Sequence, residues 1–187
     1  MYSFNNDYSE GAHPKILEAM MNCNLAQNGG YGLDIHCENA RRLIKEEIGR
    51  NDADVHFITG GTQTNLITIA AALRPWQAVI ATDKGHISNS TEIGTQYSKA
   101  DLEALHHICR QNDLYLFLDG ARMGAALTSP VNDLTLRDIA ELVDVFYIGG
   151  TKAGALFGEA LIICRDELKQ DYRFMIKQRG AMMAKDR

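Results

Sequence analysis

The feature that most constrains this chain is a series of short apolar runs, each closed by glycine or a charged residue and most followed by a helix-like stretch. Residues 55–58 (VHFI) end at Gly60-Gly61-Thr62, and residues 78–81 (AVIA) run into Asp83. Residues 114–118 (LYLFL) end at Asp119, residues 143–148 run into Gly149-Gly150, and residues 160–164 (ALIIC) form a fifth run. Runs that are apolar throughout, not alternating, suit strands buried on both faces. Between them, residues 14–21, 34–48, 64–73, 98–112, 134–142 and 167 onward carry helical patterning. Pro14 stands in a first turn, Ser98 caps its helix, and Asp101 occupies the third position of a capping box. Strands alternating with helices predict an α/β fold: a three-layer α/β/α sandwich around a mainly parallel sheet. The glycine-rich GALFGEA segment predicts that residues 160–164 return antiparallel to 143–148, as the one antiparallel strand.

Composition narrows the function classes. The 187 residues carry 19 basic and 24 acidic side chains, a formal charge of −5, and 45% of them are apolar. A nucleic-acid binder needs a basic face to neutralise phosphates, so none is expected. Cys23, Cys37, Cys109 and Cys164 form no CxxC pair, which argues against a metal site and suits a reducing compartment. The N-terminus lacks a basic stretch followed by an apolar one, and the longest apolar run, 66–73, is too short for a bilayer. The expectation is a cytoplasmic protein with no membrane partner.

In an open parallel sheet, ligands bind beyond the C-terminal ends of the strands. The polar residues found there are Gly60-Gly61-Thr62, His86, Asp119 with Arg122, and Lys152. Each has an ordinary reading: a tight turn, a loop histidine, a helix cap or ion pair with Arg122, and a surface lysine. Their conjunction reads differently. Asp119 and Lys152 stand one crossover apart, so their strands can be neighbours. A glycine cup before a helix for phosphate, a carboxylate for a ring nitrogen and a lysine for an aldehyde together describe pyridoxal phosphate (PLP).

The stretches NNDYSEGAHPKILEAM, GGYGLD, FITGGTQTNL, GHIS, LYLFLDGARMGAAL, DVFYIGGTKAGALFGEA and IKQRGAMMAK resemble the low-specificity threonine aldolases. These are beta-eliminating lyases of PLP fold type I, and the resemblance runs along the whole chain. It implies that Lys152 holds PLP, that Asp119 pairs with the pyridine nitrogen, and that His86 stacks on the ring and takes part in proton transfer. Gly61 and Thr62 would bind the phosphate, and Arg122 and Ser9 the substrate carboxylate. Tyr31 would reach across a dimer interface, with Lys177 and Arg179 near the site entrance. The implied reaction cleaves threonine or allo-threonine to glycine and acetaldehyde in a homodimer or homotetramer, a dimer of dimers. It belongs to threonine catabolism and glycine biosynthesis.

Two departures from the family pattern accompany the match. GHIS at 85–88 runs straight into NSTE at 89–92, where the family has at least a further strand–helix–strand unit. The family also continues beyond IKQRGAMMAK into a smaller C-terminal domain that supplies a second carboxylate-binding arginine. Residues 1–187 are therefore expected to form an incomplete PLP-binding large domain, with a segment missing near 88–89 and part of its sheet absent. The alternative is a truncated homologue that binds PLP and turns over weakly or not at all. A nucleotide-binding α/β domain stands further off, because no glycine fingerprint or ribose-binding acid is present.

Overall fold

A computed structural model describes residues 3, 5–83, 85–88 and 96–185. Helix α1 (Pro14–Cys23) and α2 (Ile35–Ile48) precede strand β1 (Asp54–Ile58), α3 (Gly61–Ala72) and α4 (Lys99–Gln111). There follow β2 (Phe117–Leu118), α5 (Met123–Leu127), α6 (Leu136–Leu142), β3 (Val145–Gly149), β4 (Glu159–Ile163) and α7 (Tyr172–Gln178). The four strands lie in the order β1-β4-β3-β2. β2 pairs parallel with β3, and β4 pairs antiparallel with both β3 and β1. Three strands thus point one way and β4 runs against them, the direction expected for residues 160–164.

Side chains alternate across the sheet and bury on both faces, which makes three layers. Phe146 and Ile162 pack with Ile48 of α2, Leu102 of α4 and Ile139 of α6. Their neighbours Val145, Tyr147, Leu161 and Ile163 face the other way, onto Ile67 of α3 and Tyr172 and Ile176 of α7. The caps follow the sequence: Ser98 Oγ accepts from the Asp101 amide at 3.2 Å while the Asp101 carboxylate accepts from the Ser98 amide at 3.3 Å. Thr135 and Asp138 repeat that box at α6.

Two expectations are corrected. Residues 78–81 form no strand, and Trp76 and Ile80 are 82% and 84% exposed. An apolar run becomes a strand only where a partner edge is available, and the outer strand β2 offers two ladder residues where five were expected. Asp144 compensates at that edge. Its buried carboxylate accepts from the Leu116 amide at 2.7 Å and from Arg110 of α4 at 2.7 and 3.2 Å, tying β2 and α4 to the start of β3. The second correction is α5, which lies where no helix was read. The junction at 89–92 lies outside the described residues.

His56 on β1 carries one of two buried side-chain atoms without a hydrogen-bond partner among the described residues, the other being Asn65 Oδ1. The His56 ring stacks on Tyr172 at 5.3 Å, and its Nε2 is the buried atom without a partner. Burial pushes the imidazole pKa down to about 4, with Arg41 and Arg173 adding to the effect and Asp54 opposing it. A group depressed from an ordinary value of about 6.5 favours folding above that pH, and the benefit disappears as pH falls through 4. We expect acid to remove about 3 kcal/mol of stability between pH 6.5 and 4 through this group. His56→Phe should flatten that part of the pH profile in urea denaturation. An unchanged slope in the variant would show that His56 is not its source.

Candidate active site

β1, β2 and β3 all end at one edge of the sheet. β1 leads through Thr59 and Gly60 into α3, β2 hands over to Asp119, and β3 turns through Gly150 and Thr151 to Lys152. Gly61, Asp119 and Lys152 therefore meet at this edge. The turns after β2 and β3 are pressed together by glycines. The Gly149 amide donates to the Gly120 carbonyl at 2.9 Å. A Cβ on Gly120 would overlap the Tyr147 carbonyl, and one on Gly149 would overlap that of Ala121. Larger residues would force the two turns apart.

Asp119 is held by neutral donors. Its carboxylate accepts the Tyr147 hydroxyl, Asn65 Nδ2 at 3.0 Å and the Ala121 amide at 3.1 Å. Tyr147 is buried on β3, and its phenol is held protonated far above its usual range by burial first and by the Asp119 charge second. Asn65, on α3, keeps Oδ1 buried and without a hydrogen-bond partner. The first turn of α3 has glycine at its N-cap and no side-chain cap, so backbone N–H groups and the positive helix end are presented there.

The N-terminal segment crosses the same edge. Asp7 grips Arg122 with contacts of 2.5 Å to Nε and 3.2 Å to Nη2, and the guanidinium lowers the Asp7 pKa. Lys152 Nζ lies 5.9 Å from the centre of the Tyr8 ring. Ser9 donates its hydroxyl to Asn6 Oδ1 at 2.8 Å. Lys177 Nζ sits 4.1 Å from the centre of the Tyr31 ring, and the Arg179 carbonyl accepts from Gln63 in the first turn of α3 at 2.5 Å. Thr62 is exposed beside them, and His86 lies in the exposed turn at 85–88.

Sequence reasoning missed Tyr147, Asn65, Asp7 and Glu159. Glu159 opens β4 and is 6% exposed. It accepts from the Gly150 amide at 2.8 Å and the Thr151 hydroxyl at 3.1 Å. The available signal was an acid set directly before a buried apolar run. An apolar cavity of about 290 Å³ runs along Gly149, Gly150 and Glu159, lined also by Phe57, Ile58 and Phe157; neither Asp119 nor Lys152 lines it.

The beta-eliminating lyase family model matches residues 88–186. The chain belongs to the beta-eliminating lyase family. A low-specificity L-threonine aldolase of Pseudomonas aeruginosa is 24% identical over 245 residues, covering 98% of this chain and 68% of that protein. Another from a Pseudomonas species is 34% identical over 104 residues, covering 54% of this chain and 29% of that protein. The structure of a Leishmania major threonine aldolase superposes with a TM-score of 0.96 at 51% identity, covering 99% of this chain and 69% of that one. The chain is thus a lyase of the threonine aldolase type, in a PLP-dependent family. Its own edge fits that cofactor: a carboxylate oriented by neutral donors, an orphaned buried amide oxygen beside it, an uncapped helix end and a lysine on the adjoining turn. Replacing Tyr147 by Phe removes a charge-assisted hydrogen bond worth about 1.5–3 kcal/mol. Urea denaturation of the variant should show a loss of that size, and no loss would mean the hydroxyl does not hold Asp119.

Proposed function

We propose that this chain is the large PLP-binding domain of an aldehyde-lyase acting on threonine or allo-threonine, with Lys152 as the cofactor lysine. The observation that carries the reading is the meeting of Asp119, the uncapped end of α3 and the Lys152 turn at one sheet edge. PLP, when bound, supplies an electron-accepting ring that takes up the electron pair left as a Cα–Cβ bond breaks. Lys152 provides the amine for its aldehyde. Asp119 holds a proton on the ring nitrogen, and the neutral donors around it leave its charge for that task. Gly61 and Thr62 hold the phosphate through backbone N–H groups. Arg122, aimed by Asp7, takes the substrate carboxylate together with Ser9, and a bidentate guanidinium suits that group. His86 takes part in proton transfer. Tyr31 and Lys177, already in contact, and Arg179 line the entrance, with Tyr31 reaching a partner subunit in a homodimer or a dimer of dimers. The setting we assign is cytoplasmic, in threonine catabolism and glycine formation; among the described residues no helix is long and apolar enough to cross a membrane.

Borohydride reduction with PLP should fix the cofactor on Lys152, and Lys152→Ala should abolish the adduct. Labelling at Lys177 instead would sink the assignment. Asp119→Ala should cost more PLP affinity than Asp119→Glu, since the ring nitrogen needs a negative partner.

A weakly active form is favoured by one further observation. The alignment to the Pseudomonas aeruginosa enzyme runs over 245 residues, though this chain contributes 98% of its 187. On the order of sixty aligned positions thus lack a counterpart here, and residues 78–81, which precede His86, lie outside the sheet. A catalytic group held loosely loses roughly 100-fold in rate. Aldehyde release from threonine should therefore run 10- to 100-fold below the Leishmania major relative. Equal rates would show that the missing stretch does not bear on His86.

A further inference from the structure

The ladder register sets Glu159 between the two halves of the site. Opposite it on one side stands Ile58, two residues before Gly60, and on the other Gly149, the residue before Gly150. Its carboxylate touches both sides. One oxygen accepts the Gly150 amide at 2.8 Å and the other the Thr151 hydroxyl at 3.1 Å, while the second oxygen also packs against Gly61, 3.7 Å from where a Cβ on that residue would stand. Thr151 Oγ1 in turn accepts the Gly158 amide at 3.0 Å, which braces the lysine turn against the start of β4.

We propose that Glu159 is a positioning residue that fixes the separation between the phosphate-binding turn at Gly60–Thr62 and the lysine turn at Gly150–Lys152. The proposal rests on the assignment of those two turns to PLP. The cofactor's phosphate arm and aldehyde stand on neighbouring ring carbons, so the protein must present its phosphate cup and its amine at one set distance. A side chain hydrogen-bonded to the lysine turn and packed against Gly61 of the phosphate turn sets that distance. Electrostatics alone gives no reason for an acid here, since a carboxylate beside an anion cup repels phosphate. Its geometry does: a carboxylate offers one oxygen to each of the Gly150 and Thr151 donors and still reaches Gly61, whereas a glutamine would turn an amide against one of those donors. Burial raises the carboxyl pKa while the bonds from Gly150 and Thr151 lower it, so those donors are what make the buried acid tolerable.

The test compares PLP with pyridoxal, which carries the aldehyde and lacks the phosphate. The 187-residue chain and its variants are titrated with each, reduced with borohydride, and the label on Lys152 is measured by mass spectrometry, with circular dichroism to verify folding. The wild-type chain should be labelled at lower concentrations of PLP than of pyridoxal. Glu159→Gln and Glu159→Asp should each lose 10-fold or more of that preference, with pyridoxal labelling little changed. Thr151→Val, which leaves the carboxylate in place and removes one of its partners, should lose about 3-fold and carries the test if the Glu159 variants do not fold. A preference that survives or grows in Glu159→Gln would mark the acid as a mere repulsive charge and overturn the proposal. Wild-type behaviour in Glu159→Asp would overturn it too, since that variant keeps the charge and loses the reach. Absence of wild-type label at Lys152 would overturn the cofactor assignment and this proposal together. Label at Lys152 with unchanged preferences would overturn this proposal alone.

Discussion

The insertion of β4 between β1 and β3, against their direction, is the arrangement on which the rest of the molecule depends. A strand that runs backwards begins where its neighbours end, so Glu159 stands in register with both Ile58 and Gly149. The insertion is stabilised on both faces: Leu161, Ile162 and Ile163 are fully buried and alternate between the two cores. Ladder hydrogen bonds on both sides leave β4 without an exposed edge. The turns that carry Gly61 and Lys152 therefore emerge from a rigid platform.

Three acids at the edge are handled in three ways. Asp119 is held by a phenol, an amide side chain and a backbone amide, none of which bears charge. Glu159 is held by a backbone amide and a hydroxyl. Asp7, exposed as Asp119 is, is paired with a guanidinium. Neutral donors stabilise a carboxylate while leaving its field uncancelled, which suits a group that must meet a cationic ring nitrogen. Pairing with arginine cancels the field and fixes direction, which suits aiming Arg122.

Much of the framework was legible because it rests on local chemistry. The capping box at Ser98 and Asp101 is an exchange between residues three apart, and it formed as read. The strand at 160–164 reversed because a glycine-rich hairpin precedes it. The run at 78–81 misled because apolar character records a wish for burial and does not supply a pairing edge. β2 shrank to two residues for the same reason, and its anchorage passed to Asp144, a residue read only as part of a strand.

The sequence by itself determined the α/β alternation apart from the run at 78–81 and helix α5, together with the layers and the positions of Asp119, Arg122 and Lys152 just beyond buried runs, since these follow from periodicity and from the chemistry of residues close in the chain. Only the tertiary structure decided who holds the acids. Tyr147 lies 28 residues from Asp119, Asn65 lies 54 away, and Arg122 meets Asp7 across 115. Such pairs are made by strand register and helix packing. Both are collective results of burying the whole sheet, and no local pattern in the chain records them.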